Sequence, residues 1–126
     1  MKRTVLVVDD DPSIAALLCA LLQDEGYDAH GVGDGEDALM AVAEALPDVI
    51  VADVMMPRLG GLEMTQALRD RGVGAPVVLM SAVYADVDLP GIRFVPKPFD
   101  LDELVTVVNH LVEQLDDRPE LLTPLS

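Results

Sequence analysis

The stretch Val49-Ile50-Val51-Ala52-Asp53-Val54-Met55-Met56-Pro57 decides the fold. Its first four residues are apolar without alternation, and three of them are β-branched. That pattern suits a strand covered on both faces, as in a parallel sheet. The run stops at Asp53, and Pro57 marks the loop beyond it. Three other apolar runs stop in the same way. Val5-Leu6-Val7-Val8 ends in Asp9-Asp10-Asp11, Val77-Val78-Leu79-Met80 ends in Ser81, and Phe94-Val95 leads to Lys97-Pro98. In an open α/β sheet the carboxyl ends of the strands share one edge, where ligands bind. Carboxylates, a hydroxyl and an ammonium therefore converge on one site.

Between these runs the apolar period changes to that of helices. Pro12 to Glu25 reads as a helix, with Asp11 as its cap, Pro12 in its first turn and Gly26 at its end. Ile14, Leu17, Leu18, Leu21 and Leu22 form its apolar face. Asp28 to Val32 is a weak strand. Glu36 to Leu46 is a second helix, with Ala38, Leu39, Val42, Ala43 and Leu46 on one face, stopped by Pro47. Leu62 to Arg71 and Asp100 to Leu115 are two more. Ile92 to Val95 is the last strand. Five β segments alternating with helices predict an α/β, doubly wound, parallel sheet with helices on both faces. The connection from Ser81 to Ile92 is short for a crossover, which takes about 10–12 residues with its helix. The fourth helix there is expected to be short or replaced by a loop.

At 126 residues the chain is long enough for one core and reads as one domain over residues 1–116, with a C-terminal tail over 117–126. Lys and Arg number 8 against 23 Asp and Glu, a formal charge of −15. So acidic a chain repels phosphate backbones and anionic membranes, so neither nucleic acid nor a membrane is the expected partner. Bound cations and basic protein surfaces are. Cys19 is the one cysteine, which rules out an internal disulfide, and no zinc-type Cys/His spacing occurs. The apolar run after Met1-Lys2-Arg3 is too short for a signal sequence or a membrane span. The expected location is the cytoplasm.

Asp9, Asp10 and Asp53 brought together repel one another unless a cation intervenes. Mg²⁺ takes oxygen ligands and commonly joins one or two carboxylates to a phosphoryl group. A backbone carbonyl near Met55 can add a ligand. Lys97 beside a carboxylate can stabilise an added phosphoryl group, and Ser81 offers it a hydroxyl donor. A carboxylate can itself be the nucleophile, giving an aspartyl phosphate.

Asp9-Asp10, then Asp53, then Met55-Met56-Pro57 with Gly61, then Ser81-Ala82, then Lys97-Pro98-Phe99 stand in an order that resembles the response-regulator receiver domain of two-component signalling. The likeness runs from Val5 to about Leu115. It implies a flavodoxin-like strand order of 2-1-3-4-5 and a phosphorylation-activated switch rather than an enzyme. Asp53 would then accept a phosphoryl group from a sensor histidine kinase or phosphotransfer protein. Asp9, Asp10, Asp53 and the Met55 carbonyl would hold Mg²⁺, and Lys97 and Ser81 would contact the phosphoryl oxygens. Phe94 falls on the family's switch aromatic, paired with Ser81, and the Lys97-Pro98 bond is expected to be cis. The output would pass to a downstream protein partner.

Plainer readings stand beside these. Asp11 is best read as a helix cap, and Ser81 and Phe94 can be an ordinary loop serine and a core residue. His30 and His110 read as solvated, and Met40, Met55, Met56, Met64 and Met80 as packing residues. A receiver-like scaffold without regulated phosphorylation is one rival function. A haloacid-dehalogenase-type phosphatase, with Asp9 as nucleophile and Asp11 beside it, is another, though it leaves Asp53 unexplained.

Overall fold

A computed structural model describes residues 2–82 and 91–116. The strands are β1 (Thr4–Val8), β2 (Asp28–Val32), β3 (Val49–Asp53), β4 (Val77–Ser81) and β5 (Ile92–Pro96). The helices are α1 (Pro12–Asp24), α2 (Gly35–Glu44), α3 (Gly61–Asp70) and α4 (Leu101–Asp116). The strands form one sheet in the order β2-β1-β3-β4-β5, and every pairing is parallel. The expected short fourth connection lies at residues 83–90, outside the described residues.

The central strands explain the decisive sequence run. Val49, Ile50, Val51 and Ala52 are fully buried. Their side chains point alternately to two cores, which is why the run shows no polar alternation. Val49 and Val51 join Val5, Val7, Leu18, Leu22, Leu104 and Val108 under α1 and α4. Ile50 and Ala52 join Leu6, Val8, Ala38, Val42, Met64 and Leu68 under α2 and α3. Burying each valine or isoleucine contributes about 1.5–3 kcal/mol, so a slip of β3 by one residue would exchange the two sets and misplace Asp53 as well.

The helix signals hold with local exceptions. Asp11 caps α1, accepting from Ser13 N at 2.9 Å, and Gly26 ends it with φ 98°. The second helix stops at Glu44 rather than Leu46, because Ala45 is already extended ahead of Pro47. Leu46 therefore stands 67% exposed instead of joining the apolar face, and Ala43 is exposed too. Leu17 is also exposed, at 52%. Met64 and Met80 are buried as expected, whereas Met40 and Met55 face solvent. Cys19 is half-buried against the α1 core, and desolvation pushes its thiol up in pKa. His30 is exposed beside Asp28, and exposed His110 contacts Gln114.

Candidate functional site

The parallel register brings the strand ends level. Asp53, the last residue of β3, pairs with Met80, one residue before Ser81 at the end of β4. Ser81 pairs with Pro96, the last residue of β5, and Lys97 N then donates to Ser81 O at 2.8 Å. Asp9 follows β1, and its N–H donates to Val32 O at the end of β2. Four separate segments thus deliver Asp9, Asp53, Ser81 and Lys97 to one edge.

The carboxylates are placed individually. Asp53 is 7% exposed and both its oxygens are engaged. Oδ1 accepts from Met55 N at 3.0 Å, and Oδ2 pairs with Lys97 Nζ at 2.7 Å. Asp9 is 2% exposed; its Oδ1 accepts from Asp11 N at 2.9 Å, while its Oδ2 is buried with no hydrogen-bond partner. Desolvation, the largest cause, drives the Asp9 carboxyl above its ordinary pKa. The Asp11 N–H opposes it, Asp53 and Asp10 add repulsion, and Lys97 offsets part. Asp10 is exposed at the rim. One carboxylate oxygen each from Asp9, Asp10 and Asp53 lies within 4.8 Å of the others.

These groups fit a hard divalent cation. Three carboxylates face one ammonium, so the pocket keeps surplus negative charge. Its buried Asp9 oxygen has no donor, and orphaned buried oxygens are rare because they are costly. A cation bound by oxygen ligands answers both facts.

The sharp return of the chain after Asp53 depends on Gly61. A Cβ there would lie 2.5 Å from Asp53 O and 2.9 Å from Leu79 Cδ2. Only glycine lets the first turn of α3 pass this close behind the end of β3.

Every expected polar site residue reaches this edge. Met55 contributes its N–H to Asp53, and its side chain is 78% exposed. Phe94 lies half-buried on β5, packed against the α2–α3 core and paired in register with Leu79. The Lys97-Pro98 bond is cis. A groove of about 480 Å³ also adjoins the site, lined by Ile14, Leu17, Leu18, Phe99 and Leu101 together with Asp9 and Lys97. The sequence reading assigned Ile14 and Leu17 to one apolar face of α1; Ile14 packs against the core while Leu17 is 52% exposed, because helical spacing alone cannot separate a core face from a groove wall. Arg58, in the β3–α3 loop, carried no signal in the sequence.

Fold and site together define a doubly wound α/β domain with an acidic, cation-competent pocket at the carboxyl edge of its sheet. The response regulator receiver domain family matches residues 5–109. The chain is 40% identical over 126 residues to the DNA-binding response regulator MtrA of Mycolicibacterium smegmatis, covering 94% of this chain and 54% of that one. It is 38% identical over 117 residues to the probable transcriptional regulatory protein TcrX of Mycobacterium tuberculosis, covering 88% and 50%. The chain thus spans about half the length of the curated relatives it matches. Among solved structures, the receiver domain of Francisella response regulator 1452 aligns with a TM-score of 0.81 at 33% identity, over 90% of this chain and 99% of that one. TrrA of Thermotoga maritima, a response regulator solved in complex with Mg²⁺-BeF, aligns with a TM-score of 0.78 at 34% identity, over 86% and 98%.

The chain belongs to the response regulator receiver domain family. That is a family of signalling switches. The phosphatase reading needs Asp11 beside Asp9 as a second catalytic carboxylate, and Asp11 instead caps α1, accepting from Ser13 N.

Proposed function

We propose that Asp53 is the phospho-acceptor of this receiver and that a histidine kinase or phosphotransfer protein is its donor. The observation that carries the reading is the pairing of Lys97 Nζ with Asp53 Oδ2 at 2.7 Å, beside an unpartnered, buried Asp9 oxygen. One side of the acceptor carboxylate has a fixed positive charge, and the other has an acidic cradle suited to a cation. Asp9, Asp10, Asp53 and the Met55 carbonyl are the proposed Mg²⁺ ligands. Bound there, Mg²⁺ supplies positive charge that neutralises the carboxylates and the incoming phosphoryl oxygens.

The remaining work falls to the chain's own groups. The N–H of Met55 holds Asp53 Oδ1 and so orients the carboxylate. An Asp53 oxygen forms the new O–P bond as the P–N bond of the donor phosphohistidine breaks. The bonding pair stays on the imidazole nitrogen, which takes up a proton. Lys97 moves from pairing the carboxylate to pairing a phosphoryl oxygen, and the Ser81 hydroxyl donates to another. Burial of Asp53 and Ser81 at 7% exposure each keeps these interactions strong. Ser81 and Phe94, on neighbouring strands β4 and β5, are the proposed relay to a downstream protein partner. Among the described residues no helix is long and apolar enough to cross a membrane, and the proposed setting is the cytoplasm.

Intact-mass spectrometry after incubation with Mg²⁺ and acetyl phosphate tests this reading. One added phosphoryl group is expected, and none when a chelator removes the metal before acetyl phosphate is added. Steady release of phosphate dependent on Asp9 would indicate a phosphatase, and no adduct at all would indicate a scaffold.

The groove beside the site suits the donor protein, because Asp9 and Lys97 of the acidic pocket also line it and the phosphohistidine must reach Asp53 beside them. Leu17, exposed on its wall, can be changed without opening the core. Leu17→Asp is expected to slow phosphorylation by the donor protein about tenfold, the effect of losing an apolar anchor. Its rate with acetyl phosphate should stay unchanged. Equal slowing with both donors would show a damaged site instead.

A further inference from the structure

Among the described residues Arg58 is the one residue other than glycine with positive φ, at 66°. A side chain with a Cβ disfavours that left-handed backbone, so something must hold it there. The Arg58 guanidinium reaches the start of α2. Arg58 Nη2 pairs with Asp34 Oδ2, and its Nε lies 3.3 Å from Glu36 Oε1. Asp34 is 4% exposed, and its other oxygen caps α2, accepting from Asp37 N at 2.8 Å. One carboxylate therefore anchors two things: the start of α2 and the loop between β3 and α3.

The backbone doubles this link. Gly35 N donates to Leu59 O at 3.1 Å, and a Cβ on Gly35 would lie 2.5 Å from that oxygen. The same loop carries Met55, whose N–H holds Asp53. The loop is thus held by Asp53 at one end and by the α2 terminus near its middle. The side chain of Arg58 is 61% exposed and belongs to neither core. Its pairing fixes the loop's geometry and adds little to the packing of the domain.

We propose that Arg58, clamped onto Asp34 and Glu36, is a positioning residue for the metal site: it holds the β3–α3 loop so that the Met55 peptide stays at the acidic pocket. The inference rests on the proposed reading of Met55 as a ligand. Groups that orient ligands commonly tune metal affinity by about 10-fold to 100-fold, and a clamp three residues away belongs at the low end.

The test uses Mg²⁺ alone, titrated while amide chemical shifts are followed, with hydrogen exchange of the Gly35 amide as a second readout. Arg58→Asn keeps a residue tolerant of the left-handed backbone but removes the guanidinium. Asp34→Asn keeps the helix cap but removes the charge that Arg58 pairs with. Each is expected to weaken Mg²⁺ binding about tenfold and to speed exchange at Gly35, with little change in the metal-free melting temperature. The double variant should lose no more than either single one, and Arg58→Lys should recover part of the affinity. Unchanged Mg²⁺ affinity in Arg58→Asn, while Asp9→Asn loses it, would overturn the clamp. Additive losses in the double variant would overturn it too. If Asp9→Asn also binds Mg²⁺ normally, the metal reading itself fails.

Discussion

Asp53→Asn is expected to take up no phosphoryl group from acetyl phosphate under conditions that modify the wild type. The substitution is nearly isosteric. The Asn oxygen can still accept from Met55 N, as Asp53 Oδ1 does at 3.0 Å, and the side chain stays at the closed end of β3. What disappears is the anionic oxygen that forms the O–P bond. Removing a nucleophile elsewhere costs on the order of 10⁶-fold in rate, well below detection here. Lys97 loses its partner at 2.7 Å, but its ammonium is partly exposed and Asp9 remains as a nearby counter-charge. The variant should therefore fold, which circular dichroism checks. An adduct on Asp53→Asn at the wild-type rate would place the nucleophile elsewhere.

Asp9→Asn should produce the second large effect, in two opposite directions. Loss of the carboxylate with the unpartnered buried oxygen should weaken Mg²⁺ binding by at least 10-fold to 100-fold, the range seen even for groups outside the ligand set. Without metal, the same variant should be more stable than the wild type. The folded protein raises the pKa of Asp9, chiefly by burial. Its charged form therefore opposes folding. That penalty is absent below the ordinary carboxylate pKa, grows as pH rises through it, and is complete above the raised value. Metal-free wild type and Asp9→Asn should converge in melting temperature at low pH and separate near neutrality. Saturating Mg²⁺ should remove the difference, because ten times Kd of ligand adds about 1.4 kcal/mol to whichever protein binds it. Equal Mg²⁺ stabilisation of both proteins would remove Asp9 from the site.

The sheet and its site were legible because they rest on strong, local signals. An unbroken apolar run such as Val49–Ala52 has few explanations, and its abrupt end at Asp53 marks the strand terminus. The same logic placed Asp9, Ser81 and Lys97 on one edge. Strand order came only with the family resemblance, since apolar runs carry no information about which neighbour they choose. Helix limits were less legible. Leu46 fits the periodicity of α2, yet Pro47 forces the chain to leave the helix first. Ile14 and Leu17 fit the periodicity of α1, yet one face of a helix can wall a groove as well as a core. Arg58 left no trace at all. Its ion-pair partners Asp34 and Glu36 stand more than twenty residues earlier in the chain and meet it at the start of α2, and a local window holds no record of that.

Chemical mapping of the phosphorylated carboxylate tests the central claim most directly. Borohydride reduces an aspartyl phosphate to homoserine, which peptide sequencing then locates. After phosphorylation with Mg²⁺ and acetyl phosphate, reduction should yield homoserine at position 53 and none at positions 9 or 10. Homoserine at position 9, or a phosphorylated protein with position 53 unaltered, would contradict the assignment of Asp53 as the acceptor.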